Sequence, residues 1–125
     1  MASIFDQLTA LFKPGPALPS ITAPELQQQL KGKAKPLVLD VRTPGETAQG
    51  VIAGARLIPL DTLAQRATEL PKNQPIVCVC RSGRRSATAC KQLAALGFAD
   101  VTNLSGGMHA WQAAKLPVKV KGGRA

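Results

Sequence analysis

The 125-residue chain has no tyrosine, one tryptophan and three phenylalanines. So few flat π-surfaces leave little for nucleotide bases to stack on, which argues against nucleic-acid binding despite a formal net charge of +9. Acidic residues are scarce too, 7 against 16 lysines and arginines. The positive excess lies over Lys31 to Lys35, around residues 81–85 and along the tail from Lys115 to Arg124. Much of such a surface is simply solvated, but it also steers small anions and acidic proteins, an effect that weakens as salt rises. No run approaches the ~18 consecutive apolar residues of a membrane-spanning helix, and the first residues lack the basic stretch and apolar core of a secretory signal. There are only three cysteines, an odd number, and their spacing matches no structural zinc site. With 45% apolar residues to build a core, a disulfide framework is not expected, and the cytoplasm is the expected compartment.

What the sequence does contain is Cys80-Arg81-Ser82-Gly83-Arg84-Arg85-Ser86, set between two patterned segments. Upstream, Ile76-Val77-Cys78-Val79 is short, β-branched and preceded by Pro75, as in a buried parallel strand. Downstream, Ala87, Cys90, Leu93 and Ala94 repeat at helical spacing until Gly97. A thiol at this junction sits at the carboxyl end of a strand and faces the first N–H groups of a helix, where anions collect. Arg81, Arg84 and Arg85 bring three guanidiniums close in sequence to the sulfur, and Gly83 allows the sharp turn that lets N–H groups converge. Both influences favour a thiolate over the ordinary thiol, which titrates near ~8.5. The pattern is that of a covalent nucleophile in an anion cradle. Cys78, inside the strand, and Cys90, on the apolar stripe of the helix, are expected only to pack.

These residues resemble the rhodanese family of sulfurtransferases, and three further segments carry the same resemblance in the family's order. Val38-Leu39-Asp40-Val41-Arg42 is similar to its strand ending in Asp-Val-Arg, with an acidic residue following at Glu46. Gly50-Val51-Ile52-Ala53-Gly54-Ala55 is similar to its Gly-His-Ile-x-Gly-Ala turn, with Val51 in place of histidine. Leu104-Ser105-Gly106-Gly107-Met108-His109-Ala110-Trp111 is similar to its Leu-x-Gly-Gly-x-x-x-Trp segment. Thr47 stands where the family usually has an aromatic residue. The resemblance implies an α/β, three-layer rhodanese-like fold with a mainly parallel five-stranded sheet and helices on both faces. It implies catalysis by Cys80, with Arg81, Ser82, Gly83, Arg84, Arg85 and Ser86 binding the substrate, and no metal or organic cofactor. In the related phosphatase branch the loop is one residue longer. Here the closing basic residue, Arg85, comes five positions after Cys80, which favours sulfur transfer over phosphate or arsenate chemistry. The basic loop further suits thiosulfate, a dianion, as donor, with cyanide, a small thiol or a sulfur-carrier protein as acceptor. A persulfide carrier or binding module remains the non-enzymatic alternative.

The chain divides into an amphipathic helix and Pro-rich linker over residues 1–19, one domain over 20–118 and a basic tail over 119–125. Ile4, Phe5, Leu8, Leu11 and Phe12 give the first segment an apolar stripe suited to packing or to docking on a partner. Within the domain, alternating strand and helix patterns predict repeated βα units and hence a parallel sheet. Ile21 is expected in an edge strand, Thr22 to cap a helix running to about Leu30, and Asp61 to cap another running to about Glu69. Asp40 and Arg42 read as a structural ion pair, Gly106-Gly107 as a tight turn, His109 as structural rather than catalytic, and Trp111 as a core anchor.

Overall fold

The computed structural model describes residues 18–120; the amphipathic segment at residues 4–12 and the last five residues of the basic tail lie outside the described residues. Five strands form one sheet: β1 (Ser20–Ile21), β2 (Leu37–Asp40), β3 (Arg56–Leu57), β4 (Ile76–Val79) and β5 (Val101–Leu104). Their spatial order is β1-β5-β4-β2-β3, and every pairing is parallel. The strand carrying Cys80 at its end therefore lies at the centre.

Among the described residues, five helices cover the sheet: α1 (Ala23–Leu30), α2 (Pro44–Thr47), α3 (Leu60–Arg66), α4 (Arg84–Ala95) and α5 (Gly107–Ala113), with a 3-10 turn at Ala67–Glu69. Successive strand residues point to opposite faces, so each central strand feeds two cores. Leu39, Ile76 and Cys78 join Leu63, Cys90 and Leu93 beneath α3 and α4. Val38, Val77 and Val79 join Leu26, Met108 and Trp111 beneath α1 and α5. Trp111 is buried as the anchor of α5, and its indole N–H donates to the Pro117 carbonyl at 2.9 Å. Burial of a ring this large on the second core fixes how α5 sits against the sheet.

Local chemistry sets the helix starts. Thr22 closes a reciprocal capping box with Glu25, its hydroxyl accepting from the Glu25 N–H at 3.2 Å while the carboxylate accepts from the Thr22 N–H at 2.9 Å. Thr43 and Glu46 repeat the device at the start of α2. Asp61, by contrast, does not cap α3. The helix begins one residue earlier, with Pro59 at the cap position and Asp61 in the first turn. Backbone bonds leaving β3 dictate this: the Ile58 N–H donates to Asp40 O at 3.1 Å and the Leu60 N–H to Val41 O at 3.0 Å. The chain is thereby aimed into the helix before it reaches Asp61. Thr47 is buried with its hydroxyl on the Pro44 carbonyl at 3.2 Å, and Val51 pairs with Lys119 in an antiparallel bridge.

Candidate active site

In an open α/β sheet, ligands bind beyond the carboxyl ends of the strands. Cys80 leaves β4 at that edge and is fully buried. The loop then turns through Gly83, whose φ of 101° lies in the left-handed region where glycine is favoured, and enters α4 at Arg84. This conformation aims the Gly83 N–H at the Cys80 sulfur, 3.0 Å away. The Ser86 hydroxyl, one turn into α4, lies 3.3 Å from the same atom. Burial pulls the thiol's titration upward, but hydrogen bonds from the Ser86 hydroxyl and from the N–H groups of Ser86, Gly83 and Ser82 outweigh it, and the net shift is downward. The leading stabilisers of the thiolate are thus hydrogen-bond donors rather than the arginine charge that the sequence brings to the fore.

The three arginines diverge. Arg85 turns to Glu46 and makes two charge-assisted hydrogen bonds, 2.7 and 2.8 Å, that tie the start of α4 to α2. Glu46 is in consequence held down at about 2, chiefly by Arg85, with burial opposing and the Thr43 contacts adding to the effect. Arg81 is exposed and its Nε–H donates to His109 Nε2 at 3.0 Å. Arg84 is exposed at the first residue of α4 and has no ion-pair partner among the described residues. Ser82 is exposed, whereas Ser86 is fully buried. Arg81 and His109 also line a polar cleft of about 390 Å³ together with Arg42, Glu46, Gln49 and Gln112, beside the loop.

The loop rests on α5. Met108 and His109 donate their N–H groups to the carbonyls of Cys80 (2.8 Å) and Arg81 (3.0 Å). This approach needs Gly107: a Cβ there would run into the Cys80 carbonyl and come within 2.7 Å of the Arg81 backbone. Gly106 and Gly107, with φ of 73° and 57°, form the tight turn read from the sequence, and Gly107 in addition is the floor of the loop. On the other flank Asp40 and Arg42 form a buried ion pair, with Arg42 Nη2 2.8 Å from Asp40 Oδ2 and 2.8 Å from the Gly50 carbonyl. Cys78 and Cys90 are free thiols buried in the same core. Interaction with Cys90, together with desolvation, pushes the Cys78 thiol far above the ordinary range, which leaves it inert.

Asn103 has no counterpart in the sequence reading. It stands on β5 opposite Cys78 and reaches the loop from the neighbouring strand. Its Nδ2 donates to the Gly83 carbonyl at 3.0 Å and its Oδ1 accepts from the Ser86 hydroxyl. The available signal was a carboxamide within the four-residue strand Val-Thr-Asn-Leu, whose two ends are buried apolar residues.

A central-strand cysteine whose loop N–H groups close around its sulfur, on a parallel sheet of this order, defines a rhodanese-type architecture. The chain belongs to the rhodanese family: residues 22–114 match the family model described as Rhodanese-like domain. It is 41% identical over 98 residues to a sulfurtransferase of Allochromatium vinosum, covering 78% of this chain and 92% of that one. It is 33% identical to a thiosulfate sulfurtransferase of Pseudomonas putida, over 72% of this chain and 82% of the other. Among solved structures, a rhodanese-related protein of Thermoplasma volcanium superposes with a TM-score of 0.76 at 33% identity, over 82% of this chain and 99% of that one. Among the described residues, no helix is long and apolar enough to cross a membrane.

Proposed function

We propose that the protein is a sulfurtransferase that moves the sulfane sulfur of thiosulfate, through a persulfide on Cys80, to cyanide or a thiol, including the thiol of a carrier protein. The observation that carries this reading is the Cys80 sulfur at the base of its loop, with the Gly83 N–H at 3.0 Å and the Ser86 hydroxyl at 3.3 Å favouring its anionic form. The Cys80 thiolate attacks the outer sulfur of thiosulfate; a new S–S bond forms, the old one breaks, and sulfite leaves with the bonding electrons. The acceptor's lone pair then attacks the terminal sulfur of the persulfide, and the Cys80 thiolate returns. Arg81 and Arg84, both exposed at the loop, meet the incoming dianion and offset the charge gathering on sulfite, while Arg85 braces the loop through Glu46. Sulfur is both nucleophile and cargo, so the cycle needs no metal or organic cofactor. A compartment that keeps thiols reduced, such as the cytoplasm, suits it.

Loop length supports sulfur rather than phosphate as the transferred group, because the loop closes at Arg85 and the next position is the buried Ser86. The alternative reading, a persulfide carrier that turns over slowly, draws support from one feature, the complete burial of Cys80, which limits what approaches the bare sulfur. Thiocyanate production from thiosulfate and cyanide, run with the native chain and Cys80→Ser at low and high salt, tests the proposal. Activity that disappears in the variant and weakens with salt supports it, as does a gain of one sulfur on Cys80 by mass. Loading of Cys80 without turnover on any small acceptor moves the reading to a carrier, and sulfur found on Cys78 or Cys90 instead overturns it.

A further inference from the structure

A hydroxyl carries a single proton, yet the Ser86 hydroxyl stands between two acceptors, the Cys80 sulfur and Asn103 Oδ1. The orientation of the Asn103 amide is not arbitrary. The Gly83 carbonyl can only accept, so Nδ2 must face it and Oδ1 must face Ser86. Ser86 is fully buried, so solvent does not supply a substitute donor.

We propose that Asn103 is a positioning residue for Cys80: its Oδ1, aimed at Ser86 by the Nδ2 bond to the Gly83 carbonyl, competes with the sulfur for the Ser86 proton. In the thiol form Cys80 S–H donates to Ser86 Oγ, and the Ser86 O–H donates to Asn103 Oδ1. When the thiol ionises, its proton leaves to solvent and the sulfur becomes purely an acceptor. The Ser86 proton then turns to the sulfur, and Asn103 Oδ1 loses its donor. The carbonyl oxygen of Asn103 therefore favours the thiol. Asn103 tempers the nucleophile through Ser86 and touches neither the sulfur nor the donor. Of the charged and titratable groups packed around the loop, Asp40, Glu46, Arg81, Arg85 and His109 hydrogen-bond elsewhere and keep their partners when Asn103 is changed, and Cys78 is buried in the core beneath α3 and α4.

This inference rests on the preceding reading only in taking Cys80 as the reacting sulfur. Its test is the pH dependence of Cys80 alkylation by iodoacetamide, followed by mass spectrometry that resolves Cys80 from Cys78. Alkylation needs no sulfur donor or acceptor, so failure here is distinct from failure of the sulfurtransferase reading. Asn103→Ala frees the Ser86 proton, and alkylation at neutral pH is expected to be about three- to tenfold faster, the size of one hydrogen bond, with the pH profile moved down. Asn103→Asp keeps the acceptor and adds charge, and is expected to slow alkylation and move the profile up. With Ser86→Ala in the background, Asn103→Ala is expected to change the rate by less than about twofold, because the proton in contention is gone. A residue that only braced the loop would slow alkylation in both Asn103 variants and would do so with or without the Ser86 hydroxyl. Slower or unchanged alkylation in Asn103→Ala, or an effect that persists with Ser86→Ala, overturns the proposal. Should Asn103→Ala not fold, Asn103→Ser carries the same expectations and the same refutation.

Discussion

Replacing Glu46 by glutamine removes the charge from the pair with Arg85 while keeping an oxygen that can complete the α2 capping box with Thr43. The substitution therefore isolates the ion pair that joins α2 to α4. A carboxyl moved from 4.5 to about 2 sets an upper bound of about 3 kcal/mol on what its ionised form contributes. The side chains are 35% and 29% exposed, however, and solvent screening reduces this to about 1–2 kcal/mol. For a domain of this size that is a fall in Tm of roughly 5–10 °C at neutral pH. The sign of the pH dependence follows from the depressed value. The folded state gains from the ionised carboxylate above its unfolded titration at 4.5, and the gain is lost as pH falls toward about 2. The difference in Tm between native and Glu46→Gln proteins, measured by calorimetry, should thus be constant from pH 7 to about 5.5 and more than half gone by about pH 3. No difference at pH 7, or one that stays constant down to pH 3, would refute the assignment of the pair as a brace of the loop.

Two other substitutions test the supports on either side of the sulfur. Gly107→Ala places a methyl group against the Cys80 carbonyl and the Arg81 backbone at a φ of 57°, and should cost about 2–3 kcal/mol in urea unfolding together with most of the Cys80 sulfur loading. Gly54→Ala, with φ of 83° but nothing within 4 Å of the new methyl, should cost only about 1–2 kcal/mol and leave loading intact. Arg42→Met strands the buried Asp40 carboxylate and should destabilise by about 3–5 kcal/mol, whereas the double variant with Asp40→Leu should recover a large part of that loss, as measured by urea unfolding.

How far the sequence discloses this site depends on the distance over which each feature is encoded. Cys80 and its turn lie in one heptapeptide, and the strand before it and helix after it have clear periods, so Cys80, Gly83 and Ser86 are legible together. Asp40 and Arg42 are two residues apart and flank the end of a strand, which is enough to read them as a pair. The Thr22 cap with Glu25 and Pro24 is equally local. Asp61 misleads because a cap is set by where the chain enters the helix, and two backbone bonds to the end of β2 move that entry to Leu60. The partner of Arg85 lies 39 residues away, and Asn103 reaches Ser86 only because β5 pairs with β4 in a particular register. Register and helix docking are properties of the assembled sheet, and no spacing within the heptapeptide carries them.

The arrangement separates two tasks that the heptapeptide runs together. From sequence, three guanidiniums next to a cysteine suggest one electrostatic device that both ionises the sulfur and binds the anion. In the folded chain the inner atoms of the loop, the Gly83 N–H and the Ser86 hydroxyl, act on the sulfur, while Arg81 and Arg84 lie at the exposed rim and Arg85 is engaged with Glu46. Hydrogen bonds at about 3 Å from a buried atom are insensitive to salt, whereas exposed guanidiniums are screened over a Debye length of about 8–10 Å. Under the sulfur transfer proposed above, ionisation of Cys80 and capture of an anionic donor therefore respond to different variables, the first to the proton inventory around Ser86 and the second to ionic strength. A sulfur that depended on the rim arginines for its charge would lose that support whenever a bound anion neutralised them. Backbone and hydroxyl donors on the sulfur do not depend on whether the rim arginines are neutralised, which is the condition the proposed two-step sulfur transfer imposes on its nucleophile.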